Sequence, residues 1–400
     1  MSWMNGVRFS LSVAALSLVA VPACSSGGDD GGLGGAAGGG GFSEEAARQA
    51  ADTYADIVSA SYQDTLDLAV ALDAALRDLA TEPRETTLAA ARSAWLAARE
   101  PYLQTEVYRF YSGPIDNPED GPEGRLNAWP LDEAYIDYVE GDEGAGIIND
   151  PDIEISKENL ASLNEQGGEK NIATGYHAIE FLLWGQDHSD DGPGDRPVSD
   201  YSTAESADRR ALYLVTVSEL LLDDLEFLVD AWAADEDNYR AQWDDLSGRD
   251  ALKNALTGML KLTGTETGGE RIETALESGS QEDEHSCFSD NTHRDMIQDV
   301  QGVKNVWYGT YSGEGGNIQG AGIRDAVAEV DEDLAAGVDE LLEQALDNAN
   351  ALEPPFDQEI KLDNPEGHER VQTLATSLRA LAHEFEDVFR ALELDVPTEG

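Results

Sequence analysis

Apolar positions recur three and four residues apart from about residue 43 to the C-terminus, the signature of helices packed by one face. Ser43 precedes Glu44 and Glu45 as an N-cap does. Tyr54, Ile57, Val58, Tyr62, Leu66, Ala69, Leu72 and Leu76 then trace one stripe as far as Pro83, which predicts a first long helix. A second helix is predicted from about Thr86 through Trp95 and Ala98, broken or kinked at Pro101 before Tyr102, Glu106, Arg109 and Phe110. Gly113 to Pro130 reads as a long loop, 131–139 as a short helix, and 141–168, rich in Gly, Asp and Asn, as loop again. Gly175 to Trp184 is helical and largely apolar. After a loop over 186–200, helices are predicted near 202–234, 249–262, 269–278, 291–311, 321–349 and 366–393, most of them separated by Gly and Pro clusters. No run alternates with period two for long enough to make a sheet, so the pattern predicts an all-α fold.

The N-terminal residues depart from this pattern. Arg8 leads an apolar run from Phe9 to Val21 that is too short to span a bilayer and ends Val21-Pro22-Ala23-Cys24. It resembles a bacterial lipoprotein signal, in which residues 1–23 are removed and Cys24 carries the lipid. Ser25 behind it points to the outer membrane, with the protein facing the periplasm or the outside and attached through lipid alone. An ordinary cleaved secretory signal is the alternative, and both take the chain out of the cytoplasm. Residues 24–41 are mostly Gly and read as a tether, so the folded part is expected over 42–394. With Cys24 committed to lipid, Cys287 has no intrachain disulfide partner.

The charge is extreme: 25 basic against 81 acidic residues, a net −56. Such a surface repels nucleic acid and anionic membranes and attracts metal cations. The acids are spread through every helix, however, which reads as a solvated surface suited to a saline habitat rather than as one binding face.

The chemistry-bearing residues fall in four clusters: Glu106 to Asp116 with Arg109, Asn127 to Asp137 with Trp129 and Asp132, His177 with Glu180, and Glu284 to His293. His177 and Glu180 are three apart on one helix face and can reach the same small object. They read either as metal ligands or as a structural hydrogen-bonded pair. A peptidase zinc helix of the form His-Glu-x-x-His is absent, and Phe181 stands where the inverted form needs its second His.

The chain resembles the imelysin family, also called iron-regulated protein A-like, over most of 42–394. Carrying the resemblance are Gly-x-His-x-x-Glu at Gly175, His177 and Glu180, Gly113-Pro114-Ile115-Asp116, Trp129-Pro130-Leu131-Asp132-Glu133, and the run from His285 to His293. It implies two four-helix-bundle-like halves related by duplication, about 42–200 and 201–394, with the site in the crevice between them. Val107 to Gly113 and Val306 to Gly313, each ending Tyr-Ser-Gly at a helix end, agree with a duplication. The resemblance further implies a protein that binds iron or an iron chelate for uptake, with zinc or haem as alternative cofactors. His177, Glu180 and Glu106 are the expected ligands. Arg109, Trp129, Asp132, His285, Ser286, Asp290 and His293 are expected to line the site, Arg109 by orienting a carboxylate or an accompanying anion. The family is also classed with metallopeptidases, in which case Glu180 acts as general base. A third reading is an interaction partner of an outer-membrane receptor with no small ligand.

Overall fold

Ser43 caps the first helix as expected, its Oγ accepting from the Ala46 amide at 3.2 Å, and α1 then runs from Glu44 to Thr81. The structure is a computed structural model and describes residues 43–189, 192–314 and 316–398, so the signal segment, Cys24 and the Gly-rich tether lie outside it. The other long helices are α2 (Glu85–Gln104), α3 (Gly175–Trp184), α4 (Ala207–Trp232), α5 (Gly248–Lys261), α6 (Thr292–Tyr308), α7 (Ile323–Val330), α8 (Glu332–Asn350) and α9 (Pro365–Ala391). Among the described residues no helix is long and apolar enough to cross a membrane.

Packing falls into two groups. α1 lies against α2 and α4, with α3 filling in against both α2 and α4. α9 lies against α8 and α5, and α6 against α8. Contacts of α1 with α5 and of α2 with α6 join the groups, and α4 packs with the first although it begins after residue 200. The shared core is aromatic-rich: Tyr54 stacks on Trp243 at 4.8 Å, and Trp232 meets both edge-on.

The structure differs from the sequence expectation at several places. The helix expected over 321–349 is split into α7 and α8, the loop expected over 113–130 contains the helix Glu123–Leu126, and Tyr239–Asp245 forms a helix outside the expected set. α2 continues through Pro101 to Gln104, because Pro101, Tyr102 and Leu103 are all buried and packing holds the last turn helical. The loop expected over 141–168 contains two short helices, Gly146–Asn149 and Lys157–Leu163. The helices expected over 249–262 and 269–278 are one continuous run, α5 being followed by a π-helical stretch Leu262–Glu273 and a final turn Thr274–Ser278. Gly264, Gly268 and Gly269 read as breakers, yet they permit the wider winding: a Cβ on Gly268 would sit 2.6 Å from the Thr263 carbonyl. Finally, α6 stops at Tyr308, and Thr310–Gly313 pairs antiparallel with Gly316–Gln319 as β1 and β2. Tyr311-Ser312-Gly313 is therefore a strand, whereas Tyr111-Ser112-Gly113 is irregular chain after the short helix Glu106–Tyr108.

Candidate functional site

The Gly of the Gly-x-His-x-x-Glu motif is dictated by backbone geometry. Gly175 opens α3 at φ +86°, and a Cβ there would lie 2.5 Å from the Leu126 carbonyl and 2.6 Å from that of Arg125. Close seating of α3 on this segment buries its whole length, His177 and Glu180 included.

His177 Nδ1 and Glu180 Oε2 are 2.8 Å apart, and Glu180 Oε1 accepts from both the amide (3.0 Å) and the hydroxyl (2.6 Å) of Ser289. Both oxygens of Glu180 are thus engaged within the protein. Burial pushes the Glu180 carboxyl up to about 8, against the Ser289 donors and Arg99. Burial, followed by the charge of Arg99, drives His177 well below its usual range, so the imidazole is neutral. Its Nε2 is buried and meets no protein partner.

A second imidazole faces it. The rings of His177 and His285 are 4.7 Å apart at 72°, and Trp129 lies edge-on to His285 at 5.9 Å. His285 Nδ1 pairs with Asp295 Oδ2 at 2.7 Å, an oxygen that also accepts from Ser286 Oγ at 2.6 Å. His285 is likewise held neutral, mainly by burial. Each ring therefore has its Nδ1 fixed by a carboxyl group, Glu180 for His177 and Asp295 for His285, which sets the orientation of both imidazoles.

Beyond the imidazoles lies a buried ion network. Arg271, delivered by the π-helical stretch, reaches Glu106 Oε2 (2.5 Å), Glu266 Oε1 (2.9 Å) and Asp299 Oδ2 (3.0 Å). Thr267 Oγ1 donates to the same Asp299 oxygen at 2.7 Å. Burial opposes ionisation of Glu106, but Arg109 and Arg271 more than offset it and hold the carboxyl far below its usual range. Asp299, by contrast, is pushed up to about 7, chiefly by burial. Glu106 Oε1, Asp295 Oδ1 and Asp299 Oδ1 are all buried without a hydrogen-bond partner.

Several expected site residues are brought together and others are not. His177, Glu180, His285, Ser286 and Trp129 meet at the imidazole pair. Glu106 joins the ion network instead, tied to two guanidiniums. Arg109 is taken by Glu106 (2.9 Å), Glu123 (3.0 Å) and Glu266 (3.3 Å), so it orients protein carboxylates rather than a ligand. Asp132 is exposed and caps a short helix through the Ala134 amide. Asp290, at φ +56°, interacts with the acids Asp187 and Asp357 and is pushed up to about 7, first by burial. His293 stands half-buried on the first turn of α6, two positions from Asp295 and so on a different helix face. Cys287 is buried with its thiol pushed well up, which argues against a reactive thiolate.

The sequence reading passed over Arg99, Tyr176, Asp295, Asp299 and Arg271. Arg99 had a legible signal: it lies four after Trp95 and three before Tyr102, on one face of α2. Arg271 had none, since its inward aim depends on the π winding.

As a donor set, two neutral imidazoles beside carboxylate oxygens suit iron or zinc. Among the described residues, no three His, Cys, Asp or Glu side chains are set to hold one metal ion, so His177, Glu180 and Glu106 do not form a three-ligand site in this arrangement. Arg99, Arg109 and Arg271 put positive charge beside these donors, which disfavours a bare cation there.

The imelysin family model matches residues 58–385. Iron-regulated protein A of Synechococcus elongatus is 25% identical over 339 residues, covering 82% of each chain. Two crystal structures share the fold. One is of a protein designated an iron-regulated protein A precursor from Parabacteroides distasonis, at TM-score 0.70 and 20% identity over 89% of this chain and 97% of that one. The other is an imelysin-like protein from Psychrobacter, at TM-score 0.63 and 14% identity over 89% and 98%.

Proposed function

Starting from the fact that this chain belongs to the imelysin family, we propose that it is an extracytoplasmic binding protein for iron or an iron-containing ligand. On this reading Cys24 carries a lipid that holds it at the outer membrane, and delivery to an outer-membrane receptor follows capture. One observation carries the reading: two neutral, buried imidazoles pack edge to face, each with its Nδ1 fixed by a carboxyl group, and the Nε2 of His177 has no protein partner. The printed name of the Synechococcus relative points the same way.

The roles shift accordingly. His177 and His285 are the imidazole ligands, and Glu180 and Asp295 orient them. Glu180, engaged on both oxygens, is better suited to holding His177 than to activating water, so binding is preferred to peptide hydrolysis.

The test is elemental analysis of the full chain purified in detergent, beside His177→Ala and His285→Ala, after loading with iron and desalting. The acidic surface retains iron weakly in all three proteins, so the difference between them decides. Near-stoichiometric iron in the parent and its loss in both variants is expected. Equal iron in all three would sink the reading.

A further inference from the structure

We propose that Arg99 forms an oxyanion subsite beside the imidazole pair, accepting a planar carboxylate or carbonate group. The inference rests on reading this buried cluster as a ligand site, and it names the chemistry of what binds.

Arg99 is fully buried, with its guanidinium carbon 5.1–5.5 Å from the ring centres of Trp95, Tyr102 and Tyr176. Rings crowd the cation, and its hydrogen bonds must lie in the guanidinium plane. Nη1 donates to Asn127 Oδ1 at 2.6 Å. The Nε and Nη2 edge, the side that grips a carboxylate with two parallel bonds, has no hydrogen-bond acceptor. Asp295 Oδ1 lies 3.6 Å from Nη2, an ion pair beyond hydrogen-bond reach, while its other oxygen is held by His285 and Ser286.

The same edge is used elsewhere in this chain. Arg294 grips Glu100 through Nε and Nη2 at 2.8 and 2.6 Å, Arg370 grips Glu359 at 2.6 and 2.5 Å, and Arg125 grips Asp224. Those forks are partly exposed, whereas Arg99 is at 0% exposure, where an unmatched charged donor is most costly. Further donors stand beside it without partners: Asn127 Nδ2, on the amide already bonded to Arg99, and the Tyr176 hydroxyl. A guanidinium fork, an amide and a phenol suit a small planar oxyanion. Asp295 opposes a free anion, which favours an oxyanion that arrives with a cation shared by the imidazoles.

Equilibrium dialysis of the full chain in detergent against labelled bicarbonate, and separately labelled citrate, with and without one equivalent of anaerobic iron(II), tests this. About one oxyanion per chain should be retained. Tyr176→Phe should weaken retention about tenfold, and Arg99→Lys, which keeps the charge but loses the fork, should abolish it. Thermal unfolding confirms that each variant is folded. Retention only with iron supports the subsite and makes the oxyanion a co-ligand. Retention without iron, by a protein that binds no iron, supports the subsite and overturns the iron reading instead. Iron bound equally with and without either oxyanion, or retention unchanged in folded Arg99→Lys and Tyr176→Phe proteins, overturns the subsite.

Discussion

Arg271 and Glu106 meet at 2.5 Å although 165 residues separate them, and both side chains are almost entirely buried. The contact ties the π-helical stretch to the short helix after α2, within the buried ion network.

Arg271→Met should therefore cost about 3–5 kcal/mol, because it leaves Glu106 and Asp299 buried without their shared cation. Urea unfolding of the variant measures the loss. Pairing it with Glu106→Gln should recover part of that loss; strict additivity of the two changes would show that they are not coupled.

Gly175→Ala should destabilise by about 1–3 kcal/mol, since it forces a side chain into a left-handed backbone and against the Leu126 carbonyl. Relief of that clash requires α3 to move off the segment beneath it, so iron retention should fall as well. Chemical unfolding and the iron assay on the same preparation check both. A variant as stable as the parent would mean that the close approach is absent.

Stability should rise as pH falls from about 8 to about 6.5, below which the buried neutral imidazoles of His177 and His285 oppose the trend, because there the unfolded chain takes up protons that the native rings do not. Native Asp299 and Asp290 keep their protons up to about 7, and Glu180 up to about 8, where the unfolded chain has already released them. Folding then takes up protons, so the stabilisation present at low pH is lost as pH climbs through these values. At lower pH Glu106 acts in the opposite sense, because its depressed native pKa favours the folded state only while the unfolded carboxyl is ionised. Urea midpoints across this range provide the measurement, and Asp299→Asn should flatten the slope near pH 7.

Added salt should raise the melting temperature. A net charge of −56 repels itself across the surface, and ions screen exposed charges far better than buried ones. Melting in 0.1 and then 2 M KCl compares the two regimes. A flat response would show that surface repulsion contributes little.

The helical class and most helix positions were legible because one-face burial imprints a 3.6-residue period that long helices repeat many times. The β1–β2 hairpin was not, since two four-residue strands are too short to establish an alternation. Nor was the π stretch, where glycines that ordinarily end helices allow a wider turn. At the site, His177, Glu180 and His285 were legible through their motif. Arg109 was read as the anion-orienting arginine, but three carboxylates occupy it and Arg99 has the unmatched fork. Choosing between Arg99 and Arg109 requires knowing which neighbours fold in from residues 123 and 266, and sequence distance hides that.

The buried cluster draws on five different stretches: Arg99 from α2, His177 from α3, Arg271 from the π turn, His285 from a loop and Asp295 from α6. A nascent chain stopped short of α6 lacks Asp295, and with it the carboxylate that fixes the His285 ring. On the binding reading, a bound ligand should therefore hold the two helical groups together like a bolt that only a closed door can receive.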